Sequence, residues 1–484
     1  MNTRTSVCAI SVLSMMIHYA QAGSEPETRQ DTESIVHCWP TENGDYTGTT
    51  TLEPVDPERA AFYRGDQGFN VVTLLDNGLR DSHIDIVFVG DGYTVDELEN
   101  YRATVDSAVE QLFEVEPFKT YKHLFNIHRV DVISNESGID NDPSRGIERD
   151  TALGMGFWCN NIQRAVCSDV LVTRAIAETY FEADQIVAIG NSPNRGGAAS
   201  IGQNIAHVTS RPSSLAEVMI HELGHSLGRL ADEYSTGGPA NYPFPEPNEP
   251  NVSTLEIDEI VETQTKWFRW AGETFPEFDG LVGTFEGAHY SRFGIFRPSN
   301  RSRMRSSLST QFNMPSVEAM VIKFYGPGQN IEWPLVADPN ILTGHDAIAR
   351  IEVNVPAGFD LVTRWRIDGE VVHVAGEREF HACEFQLQPG RHVIAVDVKD
   401  PTEWVRDEFQ REQRLTSYRH WFIDIETYPA DANGDGHINY FDLVFFINAY
   451  LAQDPATDIA NPKGEFNFFD VLVFTNRLTN SCSP

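Results

Sequence analysis

Two histidines and a glutamate in one short segment are the residues of this sequence best suited to do chemistry. His221 and His225 are four positions apart, and Glu222 follows the first histidine. Side chains at i and i+4 of an α-helix project from one face a turn apart, so both imidazoles can bind one metal ion. Zinc lowers the pKa of a bound water to about 7, and a neighbouring carboxylate can then take its proton during attack on a carbonyl. The spacing predicts a zinc site with Glu222 as general base.

The third ligand of such a zinc ion must come from beyond the helix, because a catalytic zinc needs three protein ligands and one open position. Gly228 can end the helix and turn the chain back, and Asp232 is then the nearest suitable ligand. If the helix continued, its rise would carry Asp232 about 10 Å from the second histidine. The sequence therefore predicts a turn at Gly228 and Asp232 as third ligand, with Glu233 as the competing candidate.

The elements that must position these ligands are a helix and a sheet. Ser214, with Glu217 three positions later, gives a capping-box start to the histidine helix. Upstream, apolar runs that predict strands alternate with segments of helical spacing, which favours an α/β domain. The predicted strands are 84–92, 125–132 and 185–190, and the predicted helices are 94–113 and 171–180.

The histidine helix and its flanking segments resemble the IgA-peptidase family of secreted bacterial zinc metallopeptidases. The helix motif followed by Leu230–Tyr234 carries most of the resemblance, and weaker matches follow in consistent order over roughly residues 60–325. These matches are Asp85–Thr94, Val115–Phe118, Glu136–Gly138, Glu249–Val252, Lys266–Trp267, Phe285–Ala288, Gly294–Ser299 and Arg303–Arg305.

The resemblance implies a metzincin-like zinc endopeptidase domain, assigned to residues 61–330, with the zinc ligands His221, His225 and Asp232. It also implies that Met304 lies in a Met-turn beneath the metal, whereas an ordinary core methionine is the alternative. It does not establish immunoglobulin A as substrate, because targets depend on cleft shape and accessory domains.

Three further residues of this domain, His289, Tyr290 and Arg297, could stabilise an oxyanion or bind substrate. Nothing in their spacing singles them out for chemistry. We interpret each of them as a structural or rim-exposed residue and leave them out of the catalytic set.

The first 22 residues have the layout of a signal peptide. Arg4 lies in a short n-region, an apolar stretch spans Val7–Ile17, and Ala20–Ala22 gives a small-x-small cleavage pattern. The stretch is too short to span a bilayer, and no later stretch reaches that length. We therefore expect a secreted, extracellular protein without a membrane span, whose residues 23–60 form an irregular N-terminal arm or pro-segment.

The composition excludes some functions and permits disulfides. With 36 Lys and Arg against 71 Asp and Glu, the net charge is −35, which disfavours nucleic acid and anionic lipid as partners. The acid surplus predicts either a solvated surface or cation sites. Export permits disulfides, and Cys159 and Cys167 could pair across a loop. No CxxC motif is present, so a cysteine zinc site is not expected.

Two smaller units follow the catalytic domain. Residues 335–427 alternate in strand-like segments around an Asp368-Gly369 turn signal, which predicts an Ig-like β-sandwich. Residues 428–484 begin with a twelve-residue loop, Asp431–Asp442, whose oxygen donors have calcium-loop spacing. The predicted calcium ligands are Asp431, Asn433, Asp435, His437 through its carbonyl, Asn439 and Asp442.

A second copy of the loop ends at Asp470, but Ala460, Pro462 and Lys463 replace oxygen donors or the glycine turn, so we expect weak or no calcium there. The tandem resembles a dockerin module, a small α-helical EF-hand pair. This resemblance implies a cohesin-like partner, although the apolar helices could instead form a self-packed cap.

Three functions remain from the sequence. The first is a secreted zinc endopeptidase acting on protein or peptide substrates. The second is a non-catalytic extracellular binding or scaffold protein on a peptidase-like fold, and the third is a zinc amidohydrolase acting on cell-wall material. The presence of Glu222 favours an enzyme, because metal retention alone would not need that carboxylate.

Overall fold

The structure is a computed structural model that describes part of the chain. The described residues are 32–40, 46–54, 69–211, 213–306, 309, 311–328, 341–344, 347–374, 378–385, 387–425, 430–435 and 437–479. The signal peptide predicted for residues 1–22 lies outside them. Within these ranges no helix is both long enough and apolar enough to cross a bilayer.

Nineteen strands and eight α-helices are named here in chain order. The strands are β1 (Thr32–Pro40), β2 (Tyr46–Pro54), β3 (Asn70–Leu75), β4 (Ile84–Asp91), β5 (Phe125–Asp131), β6 (Gln185–Gly190), β7 (Gly197–Ser200), β8 (Ile205–Thr209), β9 (Thr274–Phe275), β10 (Gly280–Leu281), β11 (Phe285–Ala288), β12 (Ser291–Arg297), β13 (Ile341–Thr343), β14 (Ile348–Arg350), β15 (Val362–Ile367), β16 (Glu370–Val372), β17 (Glu379–His381), β18 (Gly390–Lys399) and β19 (Thr416–Ile425). The helices are α1 (Leu98–Leu112), α2 (Val170–Ala177), α3 (Leu215–Ser226), α4 (Ile257–Thr263), α5 (Met314–Phe324), α6 (Glu408–Arg414), α7 (Tyr440–Leu451) and α8 (Phe468–Thr479).

A six-stranded mixed sheet in the order β3-β5-β4-β6-β8-β7 forms the centre of the first unit. Strands β5, β4, β6 and β8 are mutually parallel, and the edge strands β3 and β7 run antiparallel to their neighbours. Every residue of β4, β5 and β6 is buried, as expected for parallel strands covered on both faces. These three strands and the helices α1 and α2 confirm the predicted alternation of strands and helices.

Helices cover both faces of this sheet because successive strand residues point to opposite sides. In β4, Phe88 belongs to the core that α1, α3 and α5 share, and Val87 belongs to the core beneath α2. The sheet therefore supports α3, which carries the two histidines, from below.

The loop between β5 and α2 is held by a buried carboxylate and a disulfide. Asp91, at the end of β4, accepts hydrogen bonds from the amides of Leu153 and Met155, both at 2.7 Å. Cys159 and Cys167 form a disulfide, which confirms the predicted pairing. The loop is thus anchored at two points.

Residues 341–425 build a five-stranded sheet, β13-β19-β18-β15-β16, and a two-stranded sheet, β14-β17. Trp365, Phe380 and Trp421 fill the core of this unit. The predicted hairpin turn lies between β15 and β16, where Asp368 and Gly369 have φ of 50° and 91°. These two sheets agree with the β-strand content predicted for residues 335–427.

Both ends of the described chain hold small units. The N-terminal arm, expected to be irregular, contains instead the antiparallel pair β1 and β2. At the C-terminal end, α7 and α8 pack through Phe446 and Phe474, whose rings stack at 3.9 Å. Asp442 and Asp470 are each the third residue of their helix, and both are fully buried.

Candidate active site

Helix α3 begins where the sequence predicts, but without the predicted cap. Ser214 precedes its first residue, and the side chain of Ser214 makes no capping hydrogen bond. The backbone of Ser214 has φ −146° and ψ −3°, which is not the extended conformation that directs a cap side chain at the helix amides. The predicted capping box is therefore wrong, and burial of the apolar face of α3 holds the helix.

The chain reverses directly after α3. A Cβ on Gly228 would lie 2.7 Å from the carbonyl oxygen of Gly224, so only glycine fits there without a shift. Arg229 takes the left-handed conformation with φ 58°, and the amide of Leu230 donates to the Gly224 carbonyl at 3.0 Å. The turn expected at Gly228 is present, with Arg229 as its left-handed residue, and it brings the following segment back to the helix.

The turn places three ligand atoms within reach of one another. The Nε2 atoms of His221 and His225 are 3.2 Å apart, and Oδ1 of Asp232 lies 3.1 Å from the first and 3.3 Å from the second. Over the described ranges, this is the one group of three or more His, Cys, Asp or Glu residues with ligand atoms so close together.

Backbone carbonyls orient both imidazoles. Nδ1 of His221 lies 3.1 Å from the carbonyl oxygen of Arg303, and Nδ1 of His225 lies 2.7 Å from that of Leu230. A carbonyl only accepts, so each Nδ1 donates, and the Nε2 atoms face the shared centre. The buried Oδ1 of Asp232 makes no hydrogen bond. Three acceptor atoms therefore converge on one point, an arrangement that a cation stabilises.

The separations fit zinc. A tetrahedral zinc with bonds of about 2.0–2.1 Å holds its ligand atoms about 3.3 Å apart. Burial lowers the pKa of His225, but the nearby negative charge of Asp232 outweighs burial and raises that pKa to about 9. The three residues can hold the metal once His225 has lost this proton.

Glu222 lies beside this cluster and below the edge strand β7. Burial raises the pKa of its carboxyl, against the opposing effect of the two histidines. A Cβ on Gly197 of β7 would lie 2.9 Å from Oε1 of Glu222 and 2.4 Å from a methyl of Val218. Glycine at this position therefore lets the strand approach the carboxylate closely.

Glu233, the competing ligand, turns away from the cluster. Its carboxylate accepts from the side-chain amides of Asn251 at 2.9 Å and Asn313 at 2.8 Å, and from the hydroxyl of Ser302. Burial raises the pKa of Glu233 to about 7, against these three donors. Its amide donates to the carbonyl of Met304 at 2.8 Å, so Glu233 links the Asp232 segment to the turn below.

Met304 lies directly against α3. It is fully buried, and its sulfur would be 2.6 Å from a Cβ placed on Gly224. The same turn supplies, through Arg303, the carbonyl that orients His221. The turn thus supports the ligand helix from below.

Tyr290, interpreted from the sequence as structural or rim-exposed, contacts the candidate ligand Asp232. His289 and Tyr290 form the two-residue turn between β11 and β12 and have φ of 44° and 65°, an unusual conformation for residues other than glycine. The hydroxyl of Tyr290 donates to Oδ2 of Asp232, and the amide of His289 donates to its carbonyl at 2.9 Å. Buried Arg297 donates to carbonyls of β11. This is a structural role, as expected for Arg297 from the sequence.

One comparison with known proteins covers the residues of this cluster. Residues 72–279 match the model of a protein family described as IgA Peptidase M64. Among curated proteins, no sequence matches this chain. One similar solved structure is that of Bacteroides ovatus SGBP-B, from a mixed-linkage glucan utilization locus, in complex with a mixed-linkage heptasaccharide. Its alignment has 16% identity and a TM-score of 0.14, and it covers 20% of this chain and 23% of that one.

Proposed function

We propose that this chain is a zinc-dependent endopeptidase, starting from the family match of residues 72–279, which supports a metallopeptidase. The observation that carries the proposal is the cluster of His221, His225 and Asp232, whose ligand atoms are 3.1–3.3 Å apart. Two nitrogens and one carboxylate oxygen are the donor set of a catalytic zinc with one coordination position left open.

The side chains around this open position have separate roles in the proposed reaction. A bound zinc supplies Lewis acidity to water and to the scissile carbonyl. Glu222 accepts the proton of the attacking water and delivers it to the leaving amine, roles that a carboxyl with a raised pKa can alternate between. Tyr290 holds Asp232 in place through its hydroxyl.

The edge strand favours an extended peptide as substrate. Strand β7 pairs only with β8 among the described strands of its sheet, and it lies beside Glu222. Its Gly197 amide already donates to the carbonyl of Arg164 at 3.1 Å, so a peptide can pair only with the backbone groups of β7 that remain. β1 comes close to β7 but pairs with β2. An extended peptide can add to such an edge through main-chain hydrogen bonds. This placement supports an endopeptidase over the alternatives of a scaffold protein or a cell-wall amidohydrolase.

Metal removal tests the proposal. We expect the purified full chain to contain about one zinc, to hydrolyse casein or gelatin, to lose this activity with a chelator and to regain it on zinc addition. Metal analysis and a fluorescent casein assay measure both quantities. Zinc without hydrolysis of any protein would favour the scaffold reading, and hydrolysis of cell-wall peptide alone would favour the amidohydrolase.

We also propose that the loop Asp431–Asp442 binds one calcium ion. Support comes from its oxygen donors and from two of their positions. Oδ1 of Asp431 and Oδ1 of Asn433 both accept from the amide of Asp435, at 3.1 Å and 2.9 Å, so both oxygens face the same part of the loop. In the described part of this loop the carboxylates do not gather as closely as the zinc ligands do. Calcium would have to draw them together.

Calcium titration of the full chain tests this loop. We expect about one calcium per chain by calorimetry, lost in Asp435→Ala, with unchanged zinc content. The variant Glu465→Ala, in the second loop, should leave calcium binding unchanged, because that loop lacks the donor set. Absence of calcium binding at millimolar concentration would remove the proposal.

A further inference from the structure

An arginine-lined pocket of about 340 Å³ opens near the start of β7. Its walls come from the disulfide loop, from the segment before β7 and from the segment before α3. We call this cavity the arginine pocket and define it by Asp142, Trp158, Gln163, Arg164, Arg195 and Arg211.

The pocket carries positive charge in a strongly acidic protein. The chain has 71 Asp and Glu against 36 Lys and Arg, so most guanidinium groups can find a carboxylate. In the parts of the chain that the structure describes, Arg164, Arg195 and Arg211 form no ion pair. Asp142 also lines the pocket, and its carboxylate accepts instead from the side-chain amide of Asn194. Arg211 donates to the hydroxyl of Ser213 at 3.0 Å. The pocket therefore has a net positive charge.

The pocket lies next to the candidate catalytic carboxylate. Arg195 is two residues before Gly197, a separation of about 7 Å along an extended chain. The carbonyl of Arg164 accepts from the Gly197 amide at 3.1 Å, which fixes the second wall to the same strand. Gly197 is also the residue that faces Glu222. A peptide that reaches Glu222 along β7 therefore passes the mouth of the pocket.

A disulfide and a cation–π contact hold the loop that forms one wall of the arginine pocket. The Cys159–Cys167 disulfide closes the loop that carries Gln163 and Arg164. Trp158 is held in the left-handed conformation with φ 67°, and the guanidinium of Arg145 lies 4.9 Å from its ring centroid. The disulfide and the cation–π contact therefore both act on the loop that forms this side of the pocket.

We propose that the arginine pocket is a specificity subsite that binds a carboxylate side chain, Asp or Glu, of the peptide substrate. This inference rests on the proposed peptidase function. Guanidinium groups bind carboxylates through paired, charge-assisted hydrogen bonds, and no carboxylate of the described chain already occupies these three. The subsite selects substrates with an acidic residue at one fixed distance from the cleaved bond.

Binding measured without hydrolysis tests the subsite. The probe is a set of extended peptides with Glu or Gln at one position at a time, bound to the zinc-loaded, full-length Glu222→Gln variant. We expect one position at which Glu binds about 10–100-fold more tightly than Gln, as charge-assisted pairing allows. Adding Arg195→Gln should reduce this Glu-to-Gln affinity ratio to about twofold or less. Adding Arg195→Glu should instead make a peptide with Lys at that position bind more tightly than one with Glu.

The control is Arg391→Gln, on β18 far along the chain, where Arg391 pairs with Asp424 at 2.7 Å. It should leave the ratio unchanged. A ratio near one at every position, or a Glu preference that survives both Arg195→Gln and Arg211→Gln, overturns the subsite. Selective binding by Glu222→Gln with no hydrolysis by the wild type would instead keep the subsite and reject the peptidase function.

Discussion

Glu222→Gln should abolish peptide hydrolysis while leaving the zinc content of the chain unchanged. We expect kcat to fall by about 10²–10⁴-fold, the usual contribution of a positioned general base. The amide keeps the shape of the carboxylate, so the close contact with Gly197 is preserved, but it cannot take a proton from water. The candidate metal ligands His221, His225 and Asp232 do not change in this variant. Metal analysis and kcat on a cleaved peptide give the two readouts.

The matched control is Glu217→Gln, the same substitution in the first turn of α3. Glu217 is not part of the ligand cluster, so activity should stay within a few-fold of the wild type. Loss of zinc in Glu222→Gln would show that the carboxylate supports metal binding rather than proton transfer. Near-normal kcat with full zinc would reject Glu222 as general base.

The features of this site that depend on the spacing of nearby residues could be predicted from the sequence. The i, i+4 histidines, the glycine that ends α3 and the apolar runs of β4, β5 and β6 each depend on neighbours within a few residues. Distances along a helix also excluded Asp232 unless the chain reversed, and Gly228 offered the reversal. The geometry brings Asp232, rather than Glu233, to the histidines.

The remaining parts depend on contacts between distant segments. Tyr290 reaches Asp232 across 58 residues through a hairpin turn that contains no glycine, so no turn signal marked it. The arginine pocket combines three loops, and its charge is visible only once their unpaired guanidinium groups are placed together. Ser214 and Glu217 had capping-box spacing, but the backbone of Ser214 takes a conformation in which its side chain makes no capping hydrogen bond.

A chain ending at Gly328 should fail to fold as a stable peptidase, because the segment between β18 and β19 completes the core of the first unit. Val405 and Leu415 are fully buried in the same cluster as Phe324. Asp400, also fully buried, accepts from the hydroxyls of Tyr121 and Tyr325 at 2.9 Å each. Removing this segment would expose apolar core and leave two tyrosine hydroxyls without their acceptor.

The free energy lost by this truncation is large compared with the stability of a typical domain. Losing a buried Leu-sized side chain costs about 2–5 kcal/mol, and an unsatisfied buried polar group costs about 1–3 kcal/mol. Together these losses are comparable with the 5–15 kcal/mol, roughly, that stabilises a typical domain. We expect the chain ending at Gly328 to be insoluble or to show no cooperative unfolding transition by calorimetry.

The contacts of residues 400–415 with the first unit also extend, through α5, to the candidate metal site. Glu318 on α5 accepts from the amides of Arg406 at 2.7 Å and Asp407 at 3.2 Å. Two residues further along α5, Met320 packs at Gly228, where a Cβ would lie 2.9 Å from Cγ of Met320. Loosening α5 should therefore disturb the turn that returns Asp232 to the histidines, so any soluble chain ending at Gly328 should also bind zinc more weakly.

A chain ending at Ile425 is the matched control, because it keeps β19, α6 and the whole interface while removing α7 and α8. It should retain one zinc, full activity and a Tm within a few degrees of the full chain, since α7 and α8 pack chiefly against each other. If both truncated chains fold and cleave equally well, the contacts of Asp400, Val405 and Leu415 contribute little. If only the longer chain does, residues 341–425 are part of the folding unit of the peptidase rather than a separable accessory domain.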